Sequence, residues 1–113
     1  MTARTDLAAA LSGVNGVNVT DYYRQSLKTG DGFIRLAQRT RDKSGFGWID
    51  TYEAWLAVPQ NEADAEKWIE GNLPALCDAA NTVAWVTQAT PSELALASNV
   101  VVSGLIITCA VGV

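Results

Sequence analysis

The chain is 113 residues long, 49% hydrophobic and 18% charged, with a formal net charge of −4. That is enough for one domain with its own core, and too apolar for a disordered chain. The acidic balance argues against general nucleic-acid binding, which needs clustered Lys and Arg to neutralise phosphates.

The predicted elements begin with a helix over Thr2–Ser12, capped by Thr2, with Asp6 at its positive end and Leu7 and Leu11 on one face. Gly13 stops it, and a first strand follows over Val14–Tyr23, Val17 and Val19 alternating with Asn18 and Thr20. A polar loop over 25–32 leads to a second strand, Gly32–Thr40. There Phe33, Arg35, Ala37 and Arg39 point one way, and Ile34, Leu36, Gln38 and Thr40 the other. "RDKSG" is a turn signal, so Phe46–Val58 returns as a third strand with Trp48, Tyr52, Ala54, Leu56 and Val58 on one face. Pro59 ends it.

Asn61 caps a second helix whose first turns carry Glu62, Asp64 and Glu66. Ala65, Trp68, Ile69, Leu73, Leu76, Cys77 and Ala80 form its buried stripe. Pro74 cannot donate to the Glu70 carbonyl, so a kink or split is expected near Gly71–Asn72. A fourth strand, Thr82–Thr90, a loop over Pro91–Asn99 and a last strand from Val100 to about Val111 complete the chain. The order α-β-β-β-α-β-β implies an α+β fold: a five-stranded antiparallel or mixed sheet with two helices on one face.

Charge is unevenly placed. Tyr22–Ile49 holds Arg24, Lys28, Arg35, Arg39, Arg41 and Lys43 against Asp31 and Asp42, while Asp50–Glu93 holds eight acids against Lys67. No charged residue follows Glu93. The plain reading is three differently exposed faces. The sharper one is a basic edge that meets the acidic edge of a neighbouring copy. Cys77 and Cys109 lie in apolar periodic contexts without metal-site spacing and read as small buried side chains. The N-terminus has no signal-peptide run, and the last apolar stretch is too short to span a bilayer. A soluble protein made inside the cell is expected.

The sequence offers little chemistry. It has no histidine, the commonest general base and metal ligand. Asp50 and Glu53, three apart on a strand, point to opposite faces and cannot act as a carboxylate pair. "GDG" and "GFG" fit neither a P-loop nor a dinucleotide fingerprint. Ser26 and Lys28 form no credible nucleophile pair in a loop. The reading is a non-enzyme with no cofactor and no metal. Trp48 and Trp68 are expected in the core, and Trp55 and Trp85 on the sheet face away from the helices. That face and the charge-free last strand are more apolar surface than two short helices cover, which points to an oligomer.

Taken in order, the N-terminal helix, "GVNVTDYYRQSLKTGDGFIRL", "SGFGWIDTYEAWLAVPQNEADAEKWIEGNLPAL", "VAWVTQATPSEL" and the hydrophobic last strand carry a resemblance across nearly the whole chain. The pattern resembles the tail terminator (tail completion) proteins of long, non-contractile-tailed bacteriophages, particularly those of actinobacteria. The resemblance implies a homohexameric ring on the last ring of the tail tube. Such a ring stops tail growth and offers a surface to the head connector, with the genome passing through its lumen. The implied place is the virion neck, and the host cytoplasm during assembly. The alternatives are a head-tail stopper or connector, a tube subunit, or a small ligand-binding or enzymatic domain. The family supplies no catalytic residues to transfer. From the charge pattern, the interface candidates are Arg24, Lys28, Arg35, Arg39, Arg41 and Lys43, with Asp42 in the hairpin tip, Trp55 on the open face, and Glu62, Asp64, Glu66 and Glu70 on the acidic side.

Overall fold

A computed structural model describes residues 3–22, 28–41, 43–45, 47–95 and 101–112. The element order is α1 (Ala3–Ser12), β1 (Asn18–Thr20), β2 (Asp31–Arg41), β3 (Trp48–Ala57), α2 (Glu62–Asn81), β4 (Trp85–Ala95) and β5 (Val101–Gly112). The strands form one five-stranded mixed sheet in the order β1-β2-β3-β5-β4. β1 runs parallel to β2, and the other neighbours are antiparallel.

Both helices pack on one face. Leu7, Ala8 and Leu11 of α1 and Ile69, Leu76 and Ala80 of α2 share a core with Ile34, Tyr52, Ala54, Leu56, Leu105, Ile107 and Cys109. The register explains the selection: Tyr52, Ala54 and Leu56 stand opposite Cys109, Ile107 and Leu105 on the same side of the pleat. Burial pushes the Cys109 thiol up to about 11, so it is an inert packing group. Cys77 is only half-buried.

Three expectations need correction. The first strand spans three residues rather than ten, because Val14 closes a turn by accepting from Val17 N–H at 3.0 Å. The predicted loop from Pro91 is instead strand as far as Ala95, and 96–100 lie outside the described residues. Proline is tolerated there because β4 is a sheet edge, where a missing N–H breaks no ladder bond. Pro74 does not split α2, which is one helix of 20 residues; Asn72 Nδ2 donates to the Trp68 carbonyl at 2.8 Å. The expected last strand is present as β5, which lies between β3 and β4. An inner strand avoids charge whether or not the molecule associates.

The Asn61 cap is as expected, its side chain accepting from Ala63 N–H at 3.0 Å and Asp64 N–H at 3.3 Å. Of the expected loop over 25–32, 25–27 lie outside the described residues, 28–30 form a turn, and β2 begins at Asp31. Gly30 has φ +90°, donates to the Ala57 carbonyl at 2.9 Å, and would drive a Cβ into the Gly16 carbonyl oxygen. Gly30→Ala should therefore cost more than about 1 kcal/mol, from the left-handed backbone and the clash together. Urea melts would show it, and an unchanged midpoint would mean the turn relaxes freely.

Candidate interaction surface

The basic strand is not arranged as simple alternation predicts. Between Leu36 and Gln38 the register to β3 slips, with Ala37 as the extra residue of a β-bulge. Up to Leu36 the predicted faces hold; beyond the bulge they exchange. Arg39 stands opposite Asp50 on the helix face, not beside Arg35. A second slip at Thr87 in β4 places Gln88 opposite Thr108, on the same face as Trp85.

The bulge creates a fork. Arg39 donates Nε to Asp50 Oδ1 at 2.5 Å and Nη2 to Oδ2 at 2.9 Å. This is the bidentate geometry that suits guanidinium and carboxylate. Asp50 is 4% exposed, the one charged residue buried among the described residues. The Arg39 hydrogen bonds hold its carboxyl below the usual range, against the opposing effect of burial, and raise the Arg39 guanidinium in return. Arg39 and Arg41 both lie over the Trp48 ring, at 5.9 and 4.0 Å. Trp48, expected in the core, is 39% exposed beneath them. Trp68 is half-buried against the core.

On the opposite face Trp55 is similarly fixed. Its Nε1 donates to Glu53 Oε1 at 3.1 Å, Arg35 lies over its ring at 5.1 Å, and Phe33 meets it at 5.5 Å. Arg35 Nε is 3.7 Å from Glu53 Oε1. Asp50 and Glu53 do point to opposite faces, each beneath its own arginine.

The structure therefore brings Arg35, Trp55 and Glu53 together, and Arg39 with Asp50. It does not bring the basic strand to the acids of α2. Asp64, Glu66 and Glu70 are exposed on a helix lying over β4 and β5, at the far side of the sheet. Glu62 opens that helix. Lys43 is exposed in the hairpin tip, and Lys28 in the turn before β2, where its carbonyl accepts from Asp31 N–H at 3.1 Å. Lys28 borders a polar hollow of about 450 Å³ shared with Asn15, Gly16, Asn18 and Asp31. Arg24 and Asp42 lie outside the described residues.

Among the described residues, the sheet face without helices carries Ile49, Thr51, Trp55, Ile106, Thr108, Ala110 and Trp85, with charge at Glu53 on the central strand, at its partner Arg35 and, by alternation, at Asp31. Trp85 is 76% exposed and, with Ile49, Thr87, Ala110 and Gly112, borders a hollow of about 410 Å³. Among the described residues no three His, Cys, Asp or Glu side chains could hold a metal together, and no helix is long and apolar enough to cross a membrane. Sequence reasoning missed Asp50 and Glu53 as arginine partners; their positions on the facing strand were the available signal, and the bulge hid it. No protein-family model matches the chain, and a search of curated proteins finds no match.

Proposed function

We propose that this protein is a structural subunit of a bacteriophage neck: a tail terminator whose ring caps the tail tube, stops its growth and joins it to the head connector. The observation that supports this most is the helix-free sheet face, uncharged across its β5 and β4 side, with Trp85 standing out from it. A large exposed aromatic at the edge of such a face suits a protein interface. The division of charge supports it too. The strand β2 carries Arg35, Arg39 and Arg41, and the opposite side, β4 with α2, carries Glu66, Glu70, Asp78 and Glu93. Opposite charge on opposite sides of one subunit suits head-to-tail contacts, which close into rings when the rotation permits. The exposed tip at 43–45 is available to an adjacent ring.

The test is Trp85→Ser. So exposed a side chain contributes within about 0.5 kcal/mol to folding, so the melting temperature should hold. Capping of tail tubes, or joining of tails to heads, should fall. Normal joining by the folded variant would remove this face from the proposed interface.

A further inference from the structure

We propose that copies of this protein join end to end, the β2–β3 hairpin tip of one entering an acid-rimmed hollow between α2 and β4 of the next. The inference rests on the head-to-tail reading above and names the contact. The hollow, of about 470 Å³, has an apolar floor of Val58, Ala65, Ile69 and Pro91. Gln60 closes its back, accepting from Ser103 N–H at 3.0 Å, so that polar group is satisfied within the chain. The rim carries Glu66 and Glu93, both exposed, and neither belongs to an ion pair among the described residues. The mouth is open, since Gln60, Pro91 and Ser92 beside them are exposed as well. The β4–β5 ladder runs past Glu93 to Leu94–Val102 and Ala95–Val101, so the hollow lies beside paired strand.

This shape selects its ligand. Two carboxylates over an apolar floor suit a long cationic side chain, whose carbon stem covers the floor while its charge meets the rim. Asp64 and Glu70 on the same helix keep the surrounding charge negative against Lys67.

The occupant follows from where the described cations stand. Arg4, Arg35, Arg39 and Arg41 each lie over an aromatic ring of their own chain, and Arg39 is also bound to Asp50. Lys28 and Lys67 stand at the hollow's own end of the sheet, Lys28 in the turn whose Gly30 N–H donates to the Ala57 carbonyl, Lys67 next to Glu66. Lys43 is exposed in the tip, and with Arg41 it leaves the tip positive after Asp42 is counted. Tip and hollow lie at opposite ends of the strands. Beside the tip, Ile49 pairs with Gly112; beside the hollow, Ala57 pairs with Gly104, about 27 Å away at the ordinary strand rise. In a molecule 46 Å long these features cannot meet within one chain, and opposite charge suits them to meet between copies. The contact is heterologous. Each copy offers a tip at one end and a hollow at the other, and closure into a ring depends on the rotation between neighbours.

Charge exchange tests this, by sedimentation equilibrium of the full chain as wild type, as Lys43→Glu, and as Glu66→Lys combined with Glu93→Lys. All three positions are exposed, so both variants should fold, which circular dichroism would check. Wild type should self-associate at low salt, and less so as salt rises. Each variant alone sets like charges together and should associate at least tenfold more weakly. Mixed in equal amounts the two should associate again, because every tip then finds a hollow of opposite sign. A wild type that stays monomeric up to about 1 mM would overturn the proposal, as would a mixture that associates no better than its parts. Equal association by all three proteins would overturn this contact and leave standing a head-to-tail ring built through other surfaces. Mixing that restores open chains, and never a closed ring, would uphold the contact and count against the ring.

Discussion

Replacing Leu56 with Ala is expected to destabilise the protein by about 2–5 kcal/mol. Leu56 is fully buried at the middle of the sheet, opposite Leu105 on one side and Gly32 on the other. The Gly32 pairing makes the site unforgiving. A Cβ at Gly32 would lie 2.7 Å from Leu56 Cδ2, so the leucine occupies space that its cross-strand neighbour leaves empty. Truncation removes the leucine, and a glycine has no side chain to move into the void. The loss should therefore include a cavity contribution beyond the transfer free energy of the missing carbons. Urea unfolding should show a lower midpoint at unchanged slope. A cost below about 1 kcal/mol would mean that the helices close onto the sheet.

The second large effect is expected at Arg39, and it should depend on pH. Removing Arg39 strands a carboxylate that is almost wholly buried, while removing the Asp50 charge leaves a half-exposed guanidinium that water can reach. Arg39→Met should thus cost more at pH 7 than Asp50→Asn, and adding Asp50→Asn to Arg39→Met should recover stability. The sign with pH follows from the shift. Because Arg39 holds Asp50 below its unfolded value of about 3.9, the pair stabilises fully above that pH. That contribution is lost as pH falls through the folded value. In Arg39→Met only burial remains, which raises the Asp50 carboxyl; the variant should therefore gain stability relative to wild type as pH falls. Urea melts at pH 7 and pH 4 would decide. A constant difference between the two proteins would mean that Arg39 does not control the Asp50 charge.

Much of this fold was legible because local signals and tertiary packing agree. Asn61 caps α2, and the alternation of Tyr52, Ala54 and Leu56 marks the core side of β3. The bulges were not legible. One extra residue at Ala37 or Thr87 costs the pattern nothing in composition, yet it exchanges the faces of everything beyond it. That is why Arg39 was expected beside Arg35 and is instead locked to Asp50. Pro91 misled in another way, since a proline read as a loop signal is equally at home on an edge strand. Of the candidate interface, Trp85 and the open face were readable from alternation. The intramolecular pairing of Arg35 and Arg39 was not, because it depends on the register of the facing strand.

The most direct test of the proposed role is electron microscopy of a lysate from phage lacking this gene. A tail terminator's loss should leave DNA-filled heads beside unattached tails of irregular, excessive length. Tails of normal length in that lysate would contradict the terminator role and point to the head side of the joint.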